Sequence, residues 1–246
     1  MIMKNNLKNL LKDLKQKANP GKAKILAGFF KTKKGQYGEG DIFLGITVPE
    51  SRKIAQKYSE LTFSDISKLI KNKYHEARLT ALLILVHKYK LASTLHRSDL
   101  CKTMADFYLK HTKYINNWDL VDLSAHYIVG DYLYYTGPSC VSRTVLDKLA
   151  KSKNLWERRI AIISTFAFIY KGEPEWTFHL VKMLLNDSHD LIHKTCGWML
   201  REVGKRVSEK ELTTFLDIHS SQMPRTMLRY AIERLPKNKR FYYLNK

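Results

Sequence analysis

The chain has 246 residues, 44% of them apolar, and a formal net charge of +20 from 43 Lys and Arg against 23 Asp and Glu. That length and apolar content exclude a disordered chain and allow one large domain, residues 1–246, around a substantial core. The charge favours a polyanionic partner, because each neutralised phosphate releases condensed counterions.

An anionic membrane surface would call for a basic amphipathic anchor, and no stretch reads as one. Cys101, Cys140 and Cys196 are scattered with no CxxC pair, which suits a reducing compartment and neither a disulfide framework nor a structural zinc site. The start at Met1 lacks the continuous apolar segment of a signal peptide. The longest apolar runs, such as Leu79 to Val86, are too short to cross a bilayer. A cytoplasmic protein is expected.

Helical periodicity runs from one end to the other. Leu7, Leu10, Leu11 and Leu14 repeat at three and four, the stripe of a helix lying on a core, and Pro20-Gly21 is expected to end it. The segment Gly35-Gln36-Tyr37-Gly38-Glu39-Gly40-Asp41 is the clearest loop, and its glycines do not fit a dinucleotide-binding GxGxxG. Pro49, Ser64, Pro174, Ser208 and Pro224 mark starts of further helices. With no run of alternating strand residues, the predicted class is all-α.

A weak repeat follows. In each of five segments a small residue, Ala81, Ala125, Ala161, Gly197 or Ala231, stands three places after Arg78, Asp122, Arg158, Lys194 or Leu228. The small residues are 44, 36, 36 and 34 positions apart, a period that suits one helix pair per unit in a HEAT-like α-solenoid. Small residues at matching points would let neighbouring helices approach closely. The second helices of the pairs would then build one concave surface.

Counting about 100° per residue from each small residue places Trp118 near 20°, Asp122 near 60°, Trp198 near 100° and Arg159 near 160°. Arg78, Arg158, Lys194, Arg201, Lys205, Arg225 and Arg229 fall in the same arc, roughly 20° to 160°. Three acids, Asp119, Asp122 and Glu202, share it. A basic stripe of this kind suits the phosphates of a duplex, and two tryptophans offer flat faces for stacking or for a cationic partner. Asp122 weakens phosphate binding, so it needs another reason to be there. Alkylation at a purine ring nitrogen gives a cationic base with a weakened glycosidic bond, whose departure builds positive charge on the deoxyribose. A fixed carboxylate could stabilise that charge and orient the attacking water.

The runs Tyr37–Ile46, Asn116–Asp122, Leu155–Arg159, Gly197–Glu202 and Met223–Arg229 resemble, in order, the AlkD-type DNA alkylation repair family. The resemblance implies a HEAT-like all-α solenoid and glycosylase activity on 3-methyladenine and 7-methylguanine. It implies a pocket of Asp122, Trp118, Arg159 and Trp198, a backbone contact from Arg201, and chemistry without base flipping. The loop carries extra glycines before Phe43 relative to the family pattern, and Tyr37 is its candidate lesion-side contact.

Two other function classes remain open: a non-catalytic DNA-binding relative and a HEAT-type protein scaffold. The first would have no use for Asp122, and the second predicts a mixed or apolar concave face. His189 and His193 have i,i+4 spacing, but Asp190 stands where a metalloprotease motif needs Glu, and no third ligand is evident. No Lys is placed for Schiff-base chemistry. The expectation is a monomeric, monofunctional glycosylase with no metal or cofactor, acting on double-stranded DNA.

Overall fold

The computed structural model describes residues 6–136 and 140–246, and of residues 140–143 the backbone alone. The side chain of Cys140 and the first five residues lie outside the described residues. Among those described there is no strand; one isolated parallel bridge joins Ile42 to Tyr74. The all-α class is as the periodicity predicts. No helix among the described residues is long and apolar enough to cross a membrane.

The chain divides into two compact units, Met1–Ser124 and Ala125–Lys246. The first contains α1 (Leu7–Gln16), α2 (Pro20–Phe29), α3 (Val48–Lys57), α4 (Phe63–Ile70), α5 (His75–Thr94), α6 (Ser98–Lys110) and the short α7 (Trp118–Asp122). Leu10 and Leu14 of the predicted stripe are fully buried, and α5 is the central helix, with α3, α4 and α6 packed against it. Pro20 departs from its expected role as a helix stop. It does not stop α1, which ends earlier, but occupies the first position of α2, where its missing N–H costs nothing and its fixed φ suits the helix. Asn19 caps that start, accepting from Lys22 N at 3.0 Å. Pro49 lies in the first turn of α3, behind a Thr47/Glu50 capping box.

The second unit opens with a π-helical turn, His126–Gly130, which runs directly into α8 (Asp131–Tyr135). Then follow α9 (Cys140–Ala150), α10 (Leu155–Tyr170), α11 (Glu175–Met183), α12 (Asp190–Arg206), α13 (Glu209–His219), α14 (Arg225–Ala231) and α15 (Lys237–Asn245). Helix α10 is apolar and buried almost all round, the mark of a core element. It packs on α9, α11 and α12, and α12 packs in turn on α13 and α14. Ser208, as expected, caps α13, and Pro174 and Pro224 stand immediately before α11 and α14.

The repeat residues Ala81, Ala125, Ala161, Gly197 and Ala231 are all buried. Gly197 shows why size matters at that point: a Cβ there would sit 2.4 Å from Met227 O and 2.5 Å from Tyr230 Cβ. Helices α12 and α14 meet backbone to side chain, and only glycine leaves room.

Candidate functional site

In the first unit, Trp118 and Asp122 line one cavity of about 560 Å³, a size that suits a small-molecule or nucleobase ligand. Its wall is almost wholly apolar. Helix α2 supplies Ile25, Leu26 and Phe29, the following loop Phe30, Phe43 and Ile46, α3 Val48 and Pro49, α5 Leu79, and the chain after α7 Leu123. Gly45 has a left-handed φ of 85°, and a Cβ there would lie 2.1 Å from Asn19 O, so the loop can pass under the start of α2 only with glycine in place.

Aromatic rings order this wall. Trp118 stacks on Phe30 at 5.0 Å and 18°, and Phe29 meets Trp118 edge-on at 5.9 Å. Phe30 stacks on Phe43 at 5.0 Å, and Phe43 on His75 at 4.4 Å. Offset stacks and edge contacts are the geometries that the ring quadrupoles favour.

Beneath the rings lies a buried polar cluster. His75 Nδ1 is 2.9 Å from Asp41 Oδ2, and His75 Nε2 is 2.8 Å from Asp119 Oδ2. Asp41 is also bonded by Arg78 Nη2 and by Asn117 Nδ2, the latter at 3.1 Å. Burial alone would push Asp41 up, but the His75 hydrogen bond and the Arg78 charge hold it below the usual carboxylate range. Glu76, also buried, accepts from the backbone N–H groups of Leu44, Gly45 and Ile46 at 2.8, 2.8 and 3.1 Å. The first two residues of α5 thereby fix the loop that closes the cavity.

Asp122 is half-buried at the cavity wall, one turn after Trp118. Tyr37 lies on the loop before Phe43, its hydroxyl 3.5 Å from Phe29 O, and is not among the lining residues. Arg78, expected to face phosphate, is placed otherwise. It is buried, ion-paired to Asp41, and donates to the carbonyls of Asn72 and Lys73 at 3.0 and 3.3 Å. A helical side chain leans back toward the N-terminus of its helix, which carries this guanidinium over the preceding loop instead of outward.

In the second unit Arg158 does the same. Its Nε is 2.6 Å from Asp187, and its Nη1 donates to the carbonyls of Ser152 and Lys153 at 3.0 and 3.1 Å. Arg159 is buried and joins α10 to α12 through Leu191 O, at 2.9 Å, and the Thr195 hydroxyl. Arg158 therefore departs from an open phosphate-facing role, and Arg159, expected as a catalytic pocket residue, spends its Nη1 on holding α12. Lys194 is paired with Asp190 at 2.8 Å, and Arg201 with Glu233 at 2.5 Å. Lys205, Arg225 and Arg229 are exposed, Arg225 donating to Leu244 O at 2.8 Å.

Trp198 is half-buried on α12. Its ring lies 6.0 Å from Phe166, and its Nε1 donates to Glu202 at 3.3 Å. Glu202 also takes Arg206 Nε at 2.7 Å, and that guanidinium lies over Tyr170 at 4.4 Å and Phe166 at 5.3 Å. Burial opposes the charge on Glu202, but Arg206 and Arg201 hold its carboxyl below the ordinary range. Each ring of the two spaced histidines is engaged near the start of α12: His189 Nδ1 accepts from Leu191 N at 3.2 Å, and His193 Nε2 bonds Asp187 O at 2.5 Å.

His75, Asp41 and the Phe29, Phe30 and Phe43 wall are not among the residues that the predicted arc assigns to the site, and Asp119 enters it only as one of three acids. The loop motif from Tyr37 to Ile46 was the available signal, since two of these residues fall within it.

A family model for the DNA alkylation repair enzymes matches residues 10–235. Among solved structures, a predicted DNA alkylation repair enzyme from Enterococcus faecalis is similar, at 15% identity and a TM-score of 0.66, over 90% of this chain and 98% of that one. At that identity the likeness establishes a shared fold. Among curated proteins none matches the chain. The match over nearly the whole length settles the assignment: this chain belongs to the DNA alkylation repair enzyme family.

Proposed function

We propose that the protein is a monofunctional DNA glycosylase that hydrolyses the N-glycosidic bond of cationic alkylated purines, 3-methyladenine and 7-methylguanine, in duplex DNA without flipping the base. The observation that carries this reading is the pairing of Trp118 with Asp122 on the wall of an aromatic cavity in the first unit. An aromatic face attracts a cation electrostatically, and an apolar wall strengthens a nearby carboxylate's effect on positive charge developing at the sugar. Asp122 stabilises that charge and orients the water that attacks the anomeric carbon. The base already carries a positive charge and leaves neutral, so no strong general acid is required.

Trp198 supplies a second aromatic contact to DNA. Arg159 acts from within its unit by holding α12, which carries Trp198. Phosphate contacts fall to the exposed Lys205, Arg225 and Arg229, with Lys194 and Arg201 giving up an acidic partner to join them. Tyr37 contacts the lesion side through its loop. The protein works as a monomer without metal or cofactor.

The deciding measurement is base release from duplex DNA containing 7-methylguanine. Wild type should release the base, and Asp122→Asn should be slower by about 100-fold or more while still binding the duplex. Release by Asp122→Asn at a near wild-type rate would refute the role of Asp122. A wild type that binds the duplex but releases no base would replace this reading with that of a non-catalytic DNA-binding protein.

A further inference from the structure

The polar cluster under the cavity acts on α7 in a way that the cavity wall alone does not explain. Asn117 and Asp119, the neighbours of Trp118 on either side, are both tied into it. Asn117 Nδ2 donates to Asp41, and Asp119 Oδ2 takes the bond of His75 Nε2. Asp119 Oδ1 also accepts from Leu120 N at 2.9 Å, so the same carboxylate braces the first turn of α7. The rings form a second tie, from Trp118 through Phe30 and Phe43 to His75. His75 stands at the end of both.

A neutral imidazole can donate through one nitrogen only. Here both nitrogens face carboxylate oxygens, at 2.9 and 2.8 Å, and two donors are needed. The ring is therefore an imidazolium in the fold. Burial works against that charge, but the Asp119 and Asp41 carboxylates outweigh it and hold the pKa at about 9. The charged form is also favoured by the Phe43 ring stacked on it.

We infer that His75 is a positioning residue for the proposed glycosylase: clamped between Asp41 and Asp119 as an imidazolium, it fixes the first turn of α7 and with it the Trp118 ring and Asp122. This rests on the reading of Trp118 and Asp122 as the reacting site. The groups that face His75 are Asp41 from the loop, Asp119 from α7, and the Phe30 and Phe43 rings; Glu76 and Arg78 stand on its own helix. Arg78 is engaged by Asp41, and Glu76 by the backbone of residues 44–46. When the ring loses its proton, one nitrogen lone pair faces a carboxylate, and the clamp keeps only one of its two bonds, to Asp41 or to Asp119.

Three measurements on the full chain test this. Single-turnover release of 7-methylguanine by His75→Gln should be slower by about 10- to 100-fold at unchanged duplex Kd, as expected for a reacting group displaced by a fraction of an ångström to an ångström. Wild-type release should fall above pH 9, while His75→Gln should lack that limb. Nitrogen-15 NMR of labelled histidine should show an imidazolium persisting above pH 8. The indole resonance of Trp118, assigned with Trp118→Phe, should then shift with the same midpoint.

His75→Gln releasing base at the wild-type rate overturns the inference. So does a neutral His75 at pH 7, or a Trp118 resonance that ignores the His75 titration. The NMR arms follow the wild-type titration and need only Trp118→Phe for assignment, so they decide the matter even where His75→Gln fails to fold. They also separate the two readings: a wild type that releases no base defeats the glycosylase, while the coupled titration still tests whether His75 sets Trp118.

Discussion

Raising the pH from 7 to 10 should weaken the fold through His75, by an amount that follows from its surroundings. The side chain is 2% exposed, so solvent screening does not dilute its two ion pairs. A pKa of about 9 in the fold against the ordinary 6.5 in the unfolded chain corresponds to roughly 3 kcal/mol, at about 1.4 kcal/mol per pH unit. The folded-state pKa is raised, so this stabilisation is fully present below pH 6.5 and is lost as the pH climbs through 9. Most of the loss falls between pH 7 and pH 10. The assay is urea unfolding followed by circular dichroism at each pH, with wild type and His75→Gln in parallel. Lysine and tyrosine titrations are common to both chains and cancel in the difference. At pH 7 the variant should be the less stable by roughly 2–4 kcal/mol, because the buried Asp41 and Asp119 lose a charged partner. The two should converge as the pH approaches 10. A difference that stays constant across that range would refute the imidazolium and the sign of the argument together.

Other outcomes follow from the same geometry. Gly197→Ala must push α12 away from α14, because its Cβ would lie 2.4 Å from Met227 O; a cost of about 1–3 kcal/mol should appear as a lowered urea midpoint. Lys205→Ala and Arg229→Ala remove exposed cations, and each should reduce the slope of log K against log salt for duplex binding by about 0.9, the mark of one phosphate contact. Arg158→Ala should do the reverse. It removes the pair with Asp187 and two bonds to loop carbonyls, so stability should fall by roughly 2–4 kcal/mol while the salt slope is unchanged.

Much of the architecture was legible because helices announce themselves locally. The Leu7–Leu14 stripe, the Ser208 cap and the buried small residues at each repeat need only neighbours in sequence to be read. Pro20 begins α2 rather than ending α1, and a proline that ends one helix and one that begins the next look alike in sequence until the cap at Asn19 is seen. The site was half legible. Trp118 and Asp122 are one turn apart and share a surface, whereas His75, Asp41 and Asp119 are 34 and 44 positions apart and meet only in the fold. Helical phase gives a direction and no depth. That is why Arg78, Arg158 and Arg159 fell on the expected arc while their guanidinium groups turn inward.

That inward turn changes what Asp122 means. In α5 and in α10 the residue three places before the buried small residue is an arginine with one job. Arg78 holds Asp41 and the carbonyls five and six residues back, and Arg158 holds Asp187 and the carbonyls five and six residues back. Two of the five repeats thus use this position to fasten the preceding loop, while α12 carries Lys194 there, paired with Asp190, and α14 the buried Leu228. Helix α7 comes to the same point before Ala125 and carries Asp122, of opposite charge, so it cannot donate to loop carbonyls at all. The holding job is done there by other means: Asn117 caps the start, and Asp119 ties the first turn to His75. Asp122 thus puts a carboxylate at a position where α5 and α10 carry a fastening guanidinium, one turn after Trp118 on the cavity wall, and that placement is what the proposed glycosylase reading rests on.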